Sequence, residues 1–220
     1  MPPVKHAVIS AAGIGSRLGL NRPKCLIEID GRSLLDYHIE RLTTVETVWL
    51  VVGFQEEEVT RHAFALRPDI IIVRNPDYAR TNTLQSIHRV ARHLRERMLI
   101  VDADTVVDNE SFAGFCEATT RHESLIGVSR YTTSDGVRTL MDGNHVTGFT
   151  RDPHPAHEWT GIAVIKPDAV SDEPIYVYQA LERFLPLPAY EIKGFDIDTA
   201  ADLDMARRVM ANGWEHHAIG

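Results

Sequence analysis

The sequence predicts an α/β fold, and three observations predict it. Short apolar, β-branched runs at residues 4–10, 47–52, 70–73 and 98–107 alternate with segments that carry apolar residues at helical spacing. Such β-α-β-α-β alternation in short units gives a mostly parallel sheet with helices on both faces, a three-layer α/β/α, Rossmann-like arrangement. A glycine-rich loop directly follows the first apolar run, at the sheet edge where open α/β folds bind ligands. With 220 residues, no internal repeat and no low-complexity linker, one domain is expected over 1–220, with a change of pattern near residue 124.

Taken in order, residues 4–10 read as a first buried strand, interrupted by Lys5 and His6. Leu34, Leu35, Ile39 and Leu42 mark a helical face that Ser33 and Asp36 open as a capping box. Residues 47–52 form the second strand, closed by Gly53. Residues 55–66 form a helix with Glu56, Glu57 and Glu58 in its first turn, where the helix dipole favours them, and Arg67-Pro68 stops it. Residues 70–73 form the third strand. The stripe Leu84, Ile87, Val90, Ala91 and Leu94 marks the next helix, and residues 98–107 a buried strand. From residue 124 the pattern shifts to a strand at 125–129, a hairpin around Asp142-Gly143-Asn144 and a strand at 161–165. Thr199 with Asp202 opens a final helix that Gly213 ends.

Composition excludes several function classes. No stretch of about 18 apolar residues is present, so no membrane span is expected. The start M-P-P-V-K-H lacks the apolar core of a secretory signal, and Cys25 and Cys116 lie far apart without metal-like spacing, so a cytoplasmic protein without a disulfide framework is expected. A formal net charge of −8 argues against a general nucleic-acid binder. The oligomeric state is not legible.

Against that acidic background the first 27 residues contain no Asp or Glu, yet carry Lys5, Arg17, Arg22 and Lys24. Gly13, Gly15 and Gly19 fall within seven residues, and glycine lets backbone N–H groups close on an anion. A phosphate-rich ligand is the natural reading. The Walker pattern G-x-x-x-x-G-K-[ST] is absent. The dinucleotide fingerprint also fails, because the third glycine comes one residue late and Pro23 biases Arg22 away from helix. The loop stays extended to about Lys24, long enough to wrap a triphosphate.

Two further clusters point to chemistry. Asp102 and Asp104 end the apolar run 98–107, and carboxylates among apolar flanks need a cation or hydrogen bonds to compensate them. Mg²⁺ takes one or two carboxylates plus substrate phosphates, which suits this place opposite a phosphate loop. Near the C-terminal end, capping accounts for Thr199 and Asp202 but leaves Asp196 and Asp198 without a structural task. Thr81, Asn82, Thr83 and Ser86 form a neutral donor and acceptor set suited to a nucleobase edge, and Thr81 or Asn82 is equally placed to cap the helix that follows.

The loop A-A-G-I-G-S-R-L-G-L-N-R-P-K-C-L with the following D-G-R turn resembles the signature of sugar-nucleotide and phosphocholine nucleotidyltransferases. The stretch N-P-D-Y-A-R-T-N-T-L-Q-S is similar to the N-x-x-Y-x-x-x-N-x-x-S of bacterial phosphocholine cytidylyltransferases, and F-D-I-D-T-A-A-D-L to the family's D-x-D-T-x-x-D-L. The resemblance implies a nucleotidyltransferase fold whose residues 1–123 bind nucleotide and whose residues 124–220 bind acceptor. It implies that Arg17 holds the β- and γ-phosphates, that Lys24 holds the α-phosphate and that Lys193 meets the acceptor phosphate. Ala11, Ala12, Gly13, Gly15, Ser16, Thr81, Asn82, Thr83 and Ser86 fall to the nucleotide, with Asp102 as a helper. Mg²⁺ falls to Asp104 and to Asp196, with Asp198 as the near alternative. Tyr131, Trp159 and Thr160, with His154 and His157 beside them, fall to the acceptor. The expected activity is Mg²⁺-dependent transfer of CMP from CTP to a small phosphorylated or phosphonate acceptor, such as phosphocholine or a polyol phosphate. A sugar-1-phosphate transferase using UTP, GTP or dTTP, and a catalytically silent nucleotide-sensing domain, are the alternatives.

Overall fold

Alternate residues of the first strand face opposite ways, and that alternation builds the three layers. In the computed structural model, which describes residues 1–15, 18–19 and 21–214, strand β1 (His6–Ala11) sends Ala7 and Ile9 to one apolar cluster and Val8 to another. A short ribbon of β2 (Glu28–Ile29) and β3 (Arg32–Ser33) follows the glycine loop and leads into α1 (Leu34–Arg41). Ser33 caps α1 and Asp36 returns the bond, as the capping box predicts. Strand β4 (Thr47–Val52), helix α2 (Glu56–Leu66), strand β5 (Ile71–Arg74) and helix α3 (Thr83–Ala91) complete the alternation. Helices α1 and α2 cover the Ala7 face, through Leu35, Ile39, Val59 and Ala63. Helix α3 covers the Val8 face, through Leu84, Ile87 and Val90.

The apolar run 98–107 does not stay in one strand. Strand β6 (Met98–Asp102) lies in the main sheet, the chain turns at Ala103 and Asp104, and β7 (Thr105–Val107) leaves it. The Ala103 N–H donates to the Ser10 carbonyl at 3.1 Å, which anchors the turn beside the end of β1. Helix α4 (Asn109–Ala118), capped by Asp108, joins the Ala7 face through Phe112 and Phe115. Strand β8 (Leu125–Ser129), the hairpin of β9 (Arg138–Asp142) and β10 (His145–Thr150), and the long β11 (His157–Ile165) follow. Helix α5 (Val177–Leu181), strands β12 (Leu187–Glu191) and β13 (Gly194–Asp196) and helix α6 (Ala200–Asn212) end the described chain.

Nine strands form one mixed sheet in the order β5-β4-β1-β6-β11-β8-β12-β10-β9. Strands β5, β4, β1 and β6 run parallel, whereas β11 runs antiparallel to both β6 and β8. The pair β13 and β7 is antiparallel and separate from the main sheet. Helix α6 packs on it through Leu203, Ala206 and Val209 against Val106 and Phe195. This side pair carries the C-terminal carboxylates back to the end of β6.

Strand β11 begins four residues earlier than the 161–165 read from the sequence, and its register breaks between Trp159 and Ala163. Gly161 sits in that break with φ +71°, and a Cβ there would lie 2.6 Å from the Asp102 carboxylate. Glycine is needed twice over, for the backbone region and for the space.

Candidate active site

The carboxyl-terminal ends of β1 and β6 meet under the glycine loop, where an open α/β sheet binds its ligand. A cleft of ≈ 280 Å³ opens there, lined by Ser10, Ala11 and Gly13 from the first strand and loop, and by Asp102, Asp104, Asp196 and Asp198 beneath. Lys24 reaches into it from a short 3-10 turn that Pro23 starts. Gly15 lies against the stem of Lys24, where a Cβ would meet the lysine Cγ at 2.6 Å, so the loop needs glycine to give this side chain room.

The Lys24 ammonium donates to Asp104 Oδ2 at 2.9 Å and also to Asp198 Oδ1. These three side chains keep only 15–28% of their surface exposed. Burial lowers the lysine pKa, but the two carboxylates outweigh it and hold the value well above the ordinary 10.5. Lys24 is therefore an ammonium clamped between two carboxylates, one from the middle of the chain and one from near its C-terminal end. Asp198 is itself placed by Asp202, whose carboxylate accepts from the backbone N–H of Asp198 at 3.1 Å as well as from Thr199.

The other two carboxylates differ. Asp102 is raised well above the ordinary range, first by burial and then by Asp104, and Lys24 only partly offsets this. Asp196 is raised by burial and by the nearby Asp104 and Asp102, while the Thr105 hydroxyl, donating to it at 2.7 Å, pulls the other way. Of the two C-terminal candidates, Asp198 shares the lysine with Asp104, and Asp196 takes the Thr105 hydroxyl instead. Four carboxylates thus line the cleft, two of them paired with the Lys24 ammonium, and their oxygens are the hard donors a Mg²⁺ ion prefers. Among the described residues no group of three or more His, Cys, Asp or Glu is arranged to hold a metal by itself. Two carboxylates on one seated cation match the mode in which Mg²⁺ draws its remaining ligands from water and phosphate.

Elsewhere the expected residues divide. Ser16 and Arg17 lie outside the described residues. Ala12 is buried, and its carbonyl accepts from the Phe54 N–H at 3.2 Å. Thr83 lines the cleft, but its neighbours are committed to structure. Asn82 caps α3, and buried Asn75 donates to Thr81 Oγ1 at 2.8 Å and to Ser86 Oγ at 2.9 Å. Trp159 lines the cleft and meets Phe149 edge to face, whereas Thr160 is buried and donates to the Gly127 carbonyl at 2.9 Å. Tyr131 lies under α6, its ring against Trp214 and its hydroxyl donating to the Trp214 carbonyl, so its apolar partners draw it into that core. The backbone of Lys193 ties β13 to α4, its N–H donating to Ser111 Oγ at 3.1 Å and its carbonyl accepting from the Asp108 N–H at 2.9 Å. His154 pairs with exposed Asp152, and His157 faces Glu191.

Apart from Trp159, sequence reasoning missed the far wall of the cleft. Thr133, Asp135, Arg151, Glu158, Tyr176 and Tyr178 line it. Glu158 accepts from the Thr133 N–H at 2.8 Å and from the Thr133 hydroxyl at 2.9 Å, and pairs with Arg138 at 3.1 Å. Burial still pushes its carboxyl up to about 7. Tyr176 and Tyr178 stack at 5.8 Å with 9° between their planes, and Arg151 stands over the Tyr178 ring. The alternation Tyr-Val-Tyr was the one sequence signal that marked this wall.

Fold and cleft together define a nucleotide-handling α/β domain. Residues 7–178 match the MobA-like NTP transferase domain, and the chain belongs to that family. It is 36% identical over 110 residues to the CMP-5'-(3-aminopropyl)phosphonate synthase of Streptomyces rubellomurinus, covering 47% of this chain and 18% of that protein. It is 29% identical over 113 residues to the choline-phosphate cytidylyltransferase of Streptococcus pneumoniae, covering 48% of this chain and 47% of the relative. The matched stretches thus span less than half the length of these curated relatives. The inositol-1-phosphate CTP transferase of T. maritima shares the fold, with a TM-score of 0.78 at 18% identity over 99% of both chains. No helix among the described residues is long and apolar enough to cross a membrane.

Proposed function

We propose that this chain is a cytoplasmic nucleotidyltransferase that moves CMP from CTP to a small phosphorylated or phosphonate acceptor, such as phosphocholine or a polyol phosphate, and releases pyrophosphate. The observation that carries the reading is the Lys24 ammonium held between Asp104 and Asp198 under a glycine loop. That arrangement gathers a cation and two carboxylates where a triphosphate would meet the sheet edge. The names of the two relatives, a cytidylyltransferase and a CMP-phosphonate synthase, support CTP and a phosphorus-bearing acceptor.

An acceptor oxygen attacks the α-phosphorus in line. The new P–O bond forms as the bond to the β-phosphate oxygen breaks, and pyrophosphate leaves with that electron pair. No side chain needs to act as nucleophile or base, because the attacking oxygen is already ionised. The protein's task is to position two anions and neutralise them. Gly13 and Ala11 present backbone to the phosphates. Lys24 exchanges its carboxylates for an α-phosphate oxygen, and Arg17 holds the β- and γ-phosphates. Asp104 and Asp198 are the residues to hold Mg²⁺, which when bound neutralises charge on the phosphates. Tyr176, Tyr178, Trp159 and Arg151 form the acceptor side, and residues 1–123 and 124–220 divide the work at the cleft.

The test is pyrophosphate release with each of CTP, UTP, GTP and dTTP, Mg²⁺ and a panel of phosphorylated and phosphonate acceptors. A site that pairs with the cytosine amino group leaves its own groups unpaired by uracil, a discrimination that can exceed about 10⁴. A preference for UTP, GTP or dTTP moves the chain to sugar-1-phosphate chemistry, and nucleotide binding without turnover makes it a sensor.

A further inference from the structure

The start of helix α3 is tied directly to the segment that carries the tyrosine pair. Asn82 does more than cap. Its Oδ1 accepts from the Gln85 N–H at 3.3 Å, which satisfies the helix end, and its Nδ2 donates to the Ile175 carbonyl at 2.7 Å. Gln85 repeats the pattern, closing the capping box with Oε1 and donating from Nε2 to the Asp172 carbonyl at 3.1 Å. Both bonds reach about 90 residues along the chain to the stretch just before Tyr176. The neighbour Thr83 lines the cleft, as do Tyr176 and Tyr178.

The segment held in this way is only partly buried where it enters the helix: Ile175 packs against the edge of the apolar cluster and its N–H donates to the Glu173 carbonyl at 2.8 Å. Tyr176 is 54% exposed, and the helix behind it, α5, has five residues. Val177, Ala180 and Leu181 are buried in the cluster that contains Leu84 and Ile87, so the helix body is anchored, while at the entry Ile175 is only partly buried against that cluster and polar ties add to its hold. The Tyr176 N–H is satisfied within its own turn by Gln179 at 2.9 Å. The Ile175 carbonyl is satisfied by Asn82, from the start of α3.

We propose that Asn82 is a positioning residue for the acceptor. Its amide holds the Ile175 carbonyl and thereby fixes the stacked faces of Tyr176 and Tyr178 on the acceptor side, rather than reading the nucleobase. This rests on the nucleotidyl-transfer reading of the cleft. It assigns separate tasks to the two ends of one side chain, a cap for Oδ1 and a bridge for Nδ2. Aspartate separates them, because it caps a helix as well as asparagine but has no N–H to give. Serine separates them too, without adding charge.

The experiment compares Asn82→Asp and Asn82→Ser with the parent, by steady-state kinetics and by amide hydrogen exchange. Loss of a bond of this kind corresponds to roughly tenfold. The acceptor KM is expected to rise by about that factor in both variants, with the CTP KM within about twofold and kcat at saturating acceptor kept. Exchange at residues 175–178 should quicken while α3 stays protected. Unchanged exchange at 175–178 overturns the bridge. Quickened exchange with an unchanged acceptor KM, or a rise in the CTP KM alone, overturns the acceptor role. A parent that releases no pyrophosphate with any pair of substrates defeats the transferase reading instead, and the exchange comparison then decides the bridge alone.

Discussion

The two sides of the cleft are built by opposite means. On the side we assign to the nucleotide, the lining groups sit where strands end: Ser10 and Ala11 at β1, Asp102 at β6, Asp104 in the turn after it. Parallel pairing brings those ends to one edge whatever the helices do. On the side we assign to the acceptor, Thr133, Arg151, Glu158 and Tyr176 come from loops and strand entries, and bonds such as Thr133 to Glu158 and Asn82 to Ile175 hold them. The nucleotide side is therefore fixed by backbone topology and the acceptor side by side-chain ties. Substitutions should accordingly damage chemistry on the first side and binding on the second.

The sharpest way to break that comparison is at the clamp. Asp104→Asn and Asp198→Asn should each abolish nearly all turnover and remove most of the extra thermal stabilisation that Mg²⁺ adds to bound CTP, since a ligand held only by the folded protein raises its stability. Asp196→Asn should keep more of that response, because Asp196 already takes the Thr105 hydroxyl. A thermal-shift series beside pyrophosphate release would show it, and the reverse order would return the metal to Asp196.

A smaller but still large effect belongs to Gly161, which joins the two sides. Alanine there puts a side chain at φ +71° and against Asp102. Strain and overpacking each cost on the order of 1–3 kcal/mol. Chemical denaturation of Gly161→Ala should read a loss of that order together with lowered kcat, and a stable, fully active variant would mean that the bulge has another cause.

The mildest effects concern pH. Between about pH 4.5 and 7 the folded protein holds a proton on Glu158 that the unfolded chain has released, so this group makes stability fall as pH rises through that window. His38 acts in the opposite sense. Burial, and then Arg41, lower its pKa from 6.5 to about 3, so from about pH 3 to 6.5 the unfolded chain takes up a proton that the folded one refuses. Stability then rises with pH. Melting curves of Glu158→Gln across this range should lose the falling contribution and those of His38→Leu the rising one. Parallel curves for parent and variants would contradict both assignments.

How much was legible in the sequence follows the same division. The glycine loop, Lys24, Asp104 and the Asp196/Asp198 pair carry spacing and composition that single them out in the sequence, and the structure gathers Gly13, Lys24 and the three carboxylates at one cleft. Their strand-end placement follows from the β-α-β alternation. The capping boxes at Ser33 and Thr199 were equally readable. Asn82 was readable as a cap, but its second bond depends on a partner 93 positions away, which no local pattern encodes. Tyr131 misled because an aromatic after a strand looks the same whether it faces a cleft or Trp214. The break of 98–107 into β6 and β7 was hidden because both pieces are apolar and buried.

The most direct test of the transferase reading is Lys24→Ala assayed for pyrophosphate release from CTP with a saturating phosphorylated acceptor and Mg²⁺, with folding checked by circular dichroism. Removing one donor from the charge that develops at the transition state is expected to lower kcat by about 10²–10³. A folded variant that keeps turnover within about threefold of the parent would contradict it, because Lys24 would then be a structural partner of Asp104 and Asp198 and nothing more.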